Sequence, residues 1–275
     1  MAVNSCHYFL HSQFATPSPP SVASTLRLSS PSRNRITCTA TPASSSSSME
    51  EGRRKLMEFP YVSAPVRDLM VELISTAENR LESQLLPCTL PLDVQYYENP
   101  TGNSQASLQI RRGVDSSPID FILGCWIHSK LPTGGDLNIT TLLGYMNSST
   151  DAPNCLIELI QPSPTSIVII LDLPPRKDPV LYPEYLHAFY ESTQLDTYRQ
   201  KIEKIPEAKP FISASLHCAC GVREVGETEK AYLKKRDGLI RTKSIEMDLE
   251  SSFPSLFGPE VASRVISEIR KILSG

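Results

Sequence analysis

The chain has 275 residues, 40% of them hydrophobic and 21% charged, with a formal net charge of −3. Those values suit an ordinary soluble globular protein of one large domain or two small ones, and they lack the basic footprint of a nucleic-acid binder. No apolar run approaches the ~18 residues of a membrane span.

The first 48 residues differ from the rest. From Met1 to Ser48 the formally charged side chains are Arg27, Arg33 and Arg35, acidic residues are absent, and stretches such as "RLSSPSRNR" and "ASSSSS" dominate. Hydroxylated, basic, acid-free sequence of this kind predicts an organelle transit peptide over 1–48, processed near Cys38. A disordered tail with no address is the other reading of the same residues.

Next in order, Ser63 is placed to cap a helix with Pro65 in its first turn. Val66, Leu69, Met70, Leu73, Ile74, Ala77, Leu81 and Leu85 follow at spacings of three and four until Pro87. Between Gln105 and Gln161 the runs "ASLQIR", "SPIDFILGCWIH", "LNITTLLGYM" and "CLIELIQ" are each bounded by Gly, Pro, Asn or Asp and predict strands. "SIVIILDL" follows "CLIELIQ" across "PSPT", a link too short for a helical crossover, so an antiparallel meander is expected from Gln105 to Leu173. Helical spacing returns with Tyr185, Leu186, Phe189 and Tyr190, and again with Val261, Ala262, Val265, Ile266, Ile269 and Leu273. Helices before and after one sheet predict an α+β fold, a three-layer α/β/α sandwich around a central antiparallel sheet.

Within "CLIELIQ", Leu156, Glu158 and Ile160 share one face of the strand and Cys155, Ile157 and Leu159 the other. Glu158 is then a carboxylate in an apolar setting. Either the strand lies at an edge and Glu158 reaches solvent or an arginine, or burial raises its pKa and keeps a proton available to donate. His128, which ends an apolar strand, reads as a hydrogen-bonded core residue rather than a base. Cys6 and Cys38 fall in the presumed presequence. The other cysteines, Cys88, Cys125, Cys155, Cys218 and Cys220, are odd in number, without framework spacing, and suit a reducing compartment. "HCAC" at His217 to Cys220 has no second ligand pair and is weak evidence for zinc. Nucleotide-binding, serine-hydrolase and zinc-protease signatures are missing.

Read together, "RRKLMEFPYVSAPVRDLMVELISTAENRLESQLLPC", "SSPIDFILGCWIHSKLPTGGDLNIT", "PNCLIELIQ" and "LDLPPRKDPVLYPEYLHAFY" resemble the red chlorophyll catabolite reductases of plants. The resemblance runs from about Arg53 to Ser215 and resumes from about Arg236 to Ile272. It implies a homodimeric enzyme of the chloroplast stroma, related in fold to the ferredoxin-dependent bilin reductases. The implied substrate is red chlorophyll catabolite, an open-chain tetrapyrrole, reduced by two electrons to the primary fluorescent catabolite. Reduced ferredoxin is the implied electron donor, with no flavin or metal bound.

By the same resemblance, Glu158 in "IELIQ" and Asp248 in "KSIEMDLE" match the family's pocket acids, which deliver or balance protons. Phe211, Ile212, Ser213 and Ala214, after "PEAKP", match a short substrate-contacting loop, with Ala214 where proline is usual. An acidic ferredoxin calls for a basic patch, and Arg176 with Lys177, or Lys234, Lys235 and Arg236, are candidates. After Leu216 the chain departs from the family. Several tens of residues are missing, so a single reductase domain over 49–275 is expected to carry an internal deletion near 217–235. Lower stability and activity than a full-length relative are then expected. The alternative is an impaired tetrapyrrole-binding protein or truncated isoform.

Overall fold

The computed structural model describes residues 45–131, 134–163, 166–191 and 225–274. At its centre is an antiparallel sheet of six strands in sequence order: β1 (Tyr96–Glu98), β2 (Ser104–Arg112), β3 (Ile119–Lys130), β4 (Asp136–Met146), β5 (Cys155–Ser163) and β6 (Ser166–Asp172). The meander expected from Gln105 to Leu173 is present, extended by β1, whose three residues are too few to show a period.

The registers align side chains into rows across the sheet. Leu108, Cys125, Thr141, Glu158 and Ile170 are successive partners on β2 to β6, and Ala106, Ile127, Ile139, Ile160 and Val168 form a neighbouring row. Because side chains alternate, both rows face the same layer.

Helices cover both faces, as the three-layer reading requires. On one side lie α1 (Ser45–Glu58) and α2 (Ala64–Leu81). Val66, Met70 and Ile74 of α2 are buried at four-residue steps, and with Leu56 and Phe59 they pack on Trp126, Leu142, Ile157 and Leu159. Trp126 anchors this layer further by donating its indole N–H to the Lys55 carbonyl at 3.1 Å. A short helix, α3 (Leu92–Gln95), leads into β1. Gly52 lets α1 cross it closely, since a Cβ there would lie 1.6 Å from Gln95 Oε1 and force that side chain to move. The first residues of α1 fall inside the stretch read as a presequence.

After β6 come α4 (Pro183–Leu186), a wide turn over His187–Glu191, and then α5 (Glu227–Ser244). The helical layer on the second face continues with a π-type turn at Ile245–Leu249, α6 (Glu250–Phe257) and α7 (Pro259–Ser274). Gly258, with φ 82°, reverses the chain between α6 and α7 in a conformation that side chains disfavour. Phe253, Leu256, Phe257, Val265 and Ile269 pack on the inner rows of the sheet.

Two sequence expectations need correction here. Arg176 and Lys177 do not form a basic docking patch. The Arg176 side chain is fully buried, paired with Asp237 of α5 at 2.5 Å and donating to the carbonyls of Asn147 and Thr150. Lys177 is tied to Asp151 at 2.8 Å and Glu229 at 2.5 Å. A guanidinium held between the β4–β5 connection and α5 is a structural latch rather than a surface charge. In the second basic cluster, Arg236 is also engaged, with Asp237 and the Pro175 carbonyl, whereas Lys234 and Lys235 are exposed.

The second correction concerns β5. It runs between β4 and β6, so Glu158 is only 7% exposed, and it pairs with no arginine among the described residues. His128 is buried, with Nδ1 2.8 Å from Asn138 Oδ1 and its ring stacked on Tyr61, in keeping with a core role.

Candidate active site

Between the inner face of the sheet and the layer formed by α5, α6 and α7 lies a cavity of about 230 Å³, walled mainly by Leu, Ile and Phe side chains. Both sequence-picked acids line it. Glu158 arrives from the middle of β5, in the transverse row that also carries Thr141 and Cys125. Asp248 arrives from the opposite layer, in the π-type turn after α5, where the widened backbone departs from regular helix as it often does at functional sites.

The surroundings of each carboxyl decide its protonation. Burial pushes Glu158 from its ordinary 4.5 up to about 7; the Thr141 hydroxyl, donating to Oε1 at 3.1 Å, opposes the rise, and the charge of Asp248 adds to it. Burial likewise pushes Asp248 from 3.8 to about 7. Its Oδ1 is buried and has no hydrogen-bond partner among the described residues. Two carboxyls in one apolar chamber, each titrating near neutrality, can supply a proton or hold a negative charge beside a bound cation. Cys125, in the same row, is pushed up to about 12 by burial and remains a thiol.

Thr141 and Arg241, which the sequence reading did not select, also line the cavity. Thr141 lies directly opposite Glu158 on β4, a partnership fixed by hairpin register and not by any local motif. Arg241 lies on α5, a helix with so few apolar residues that its inward face leaves little periodic signal. Phe211 to Ala214, the expected substrate loop, and the "HCAC" stretch lie outside the described residues. Among the described residues no cluster of three or more His, Cys, Asp or Glu could hold a metal, Cys88, Cys125 and Cys155 are free, and no helix is long and apolar enough to cross a membrane.

An α+β sandwich that encloses two protonatable carboxyls in an apolar chamber can offer protons to a hydrophobic molecule. The model of the red chlorophyll catabolite reductase family matches residues 65–217 and 216–271. "Red chlorophyll catabolite reductase, chloroplastic" of Arabidopsis thaliana is 47% identical over 80% of this chain and 83% of its own length. "Red chlorophyll catabolite reductase 1, chloroplastic" of Oryza sativa subsp. japonica is 40% identical over 74% and 77%, and "Red chlorophyll catabolite reductase" of Hordeum vulgare 38% over 56% and 97%. The chain belongs to the red chlorophyll catabolite reductase family.

Proposed function

We propose that this chain reduces red chlorophyll catabolite, an open-chain tetrapyrrole, to the primary fluorescent catabolite by adding two electrons and two protons across a methine bridge. Membership of the family gives it a role in chlorophyll catabolism as an oxidoreductase, and the likeness to relatives named chloroplastic makes it a chloroplast protein. Reduced ferredoxin supplies the electrons one at a time, in the stroma, to a homodimer that binds no cofactor of its own.

The observation that carries this reading is the placing of Glu158 and Asp248 in one apolar cavity, each protonated up to about pH 7. With electrons delivered from outside, the protein's own task is to hold the pigment and move protons. One acid protonates the pigment as an electron arrives. The other, once ionised, balances the charge on a protonated pyrrole. The apolar walls exclude water, which keeps both acids protonated and protects radical intermediates. By resemblance to the family's substrate loop, Phe211 to Ala214 contact the pigment. Exposed Lys234 and Lys235 on α5 offer an acidic ferredoxin a docking surface.

A second reading is favoured by the division of the family match at residues 216–217. The Arabidopsis match runs over 266 residues yet takes up 80% of this chain's 275, about 220, which supports an internal deletion of several tens of residues. Beyond β6 no further strand pairs among the described residues. A chain shortened there could bind the pigment without reducing it.

Anaerobic incubation of the full chain with red chlorophyll catabolite and reduced ferredoxin separates the two. A fluorescent product that disappears in Glu158→Gln is expected. Pigment binding without product would overturn the reductase reading in favour of sequestration.

A further inference from the structure

The cavity has a second polar end. Arg241 and Ser244, on α5, line it together with Tyr145 of β4. The Arg241 Nη1 group pairs with Asp120 of β3, while its Nε is buried and finds no hydrogen-bond partner among the described residues. A buried guanidinium N–H left unmatched is costly, and the Arg241 side chain is suited to an anionic acceptor.

Charges of both signs surround this end. Tyr145 feels Arg241, Arg236 and Asp237, and the latch adds Arg176 to Asp237. Against those three guanidiniums stand the carboxylates of Asp237 and Asp120, so the pairs leave one positive charge in excess.

This end lies well away from the two acids. Tyr145 is four residues along β4 from Thr141, the partner of Glu158, a run of roughly 13 Å. Arg241 precedes Asp248 by seven residues, about two helical turns or ~10 Å on the same side. The two estimates agree, and they give the cavity an acid end and a guanidinium end separated by a span that a tetrapyrrole can cover.

We propose that Arg241, supported by Tyr145 and Ser244, receives an ionised carboxylate on the edge of the substrate and so fixes which part of the pigment lies against Glu158 and Asp248. The proposal rests on the reading of a tetrapyrrole substrate given above. A peripheral acid side chain is the feature of such a pigment that the Arg241 guanidinium can recognise. Anchoring it at one end sets orientation in a chamber whose other walls are apolar and make no directional demand.

The test compares binding of red chlorophyll catabolite with that of its methyl ester, in which the carboxylate is masked, by absorbance titration of the full chain. The free acid is expected to bind about 10- to 100-fold more tightly than the ester. In Arg241→Gln the acid falls to the level of the ester, and the ester is unchanged. Asp120→Asn, which removes the competing carboxylate and keeps Arg241, preserves the preference; if the Arg241 pair were merely structural, both variants would change acid and ester alike. Equal binding of acid and ester to the unaltered chain would overturn the proposal and leave the substrate reading intact. Binding of neither would overturn both.

Discussion

Glu158 and Asp248 meet in one cavity although they belong to different layers of the fold, one in the middle of β5 and the other in the turn that follows α5. The charge of Asp248 adds to the burial that keeps Glu158 protonated up to about pH 7. Among the described residues neither carboxyl is paired with a lysine or arginine, which separates them from the structural ion pairs elsewhere.

The raised pKa of Glu158 makes stability depend on pH. Its folded-state value, about 7, lies above the 4.5 expected when unfolded, so between these values the folded chain holds a proton that the unfolded chain releases. Stability therefore falls as pH rises through that window, by about 3 kcal/mol for a shift of that size. Asp248 acts in the same direction, with a smaller effect because it is partly exposed. Denaturant unfolding at pH 5 and pH 8 should show Glu158→Gln gaining roughly 2 to 3 kcal/mol on the unaltered chain at the higher pH. Parallel behaviour of the two proteins would refute this.

The interaction between the acids has its own signature. Asp248→Asn removes a negative charge that disfavours ionisation of Glu158, so the Glu158 titration should move to lower pH. The carboxyl stretch in infrared difference spectra reports the midpoint. An unchanged midpoint would mean that the two groups do not sense each other.

Arg176 tests the latch. Arg176→Met leaves Asp237 buried without its main partner and strands the carbonyls of Asn147 and Thr150, so unfolding measurements should show a loss of about 3 to 5 kcal/mol. Arg176→Met combined with Asp237→Leu should recover part of it. A loss below about 1 kcal/mol would place the pair among ordinary surface contacts.

If α5 presents the docking surface for ferredoxin, Lys234→Glu with Lys235→Glu should raise the KM for ferredoxin several-fold, leave kcat unchanged, and lose its effect in high salt. A salt-independent fall in kcat would argue for damage to the helix instead.

Much of the architecture was legible in the sequence because its signals are local. The spacing of Val66, Met70 and Ile74 predicts α2, and the "PSPT" link between two apolar runs forces β5 and β6 antiparallel. Strand alternation alone put Glu158 on the same face as Leu156 and Ile160, as observed. What alternation could not decide was whether β5 lies inside or at the edge of the sheet, since that depends on which strands flank it. The same limit hid Thr141, whose position opposite Glu158 follows from register across an eight-residue connection (147–154). Arg176 misled for a different reason. A basic pair after two prolines reads as exposed charge, and its partner Asp237 lies 61 residues away on a helix with little apolar periodicity. Asp248 was found through resemblance to a family, because an acid in an irregular turn has no pattern of its own.

The most direct test of the proton-delivering role of the two acids is the pH profile of single-turnover reduction of red chlorophyll catabolite, with reduced ferredoxin and without oxygen. The rate should fall as pH rises past about 7, where Glu158 and Asp248 lose their protons, and Glu158→Gln should lower it by about 100-fold or more. A rate that holds to pH 9 and survives Glu158→Gln would contradict that role.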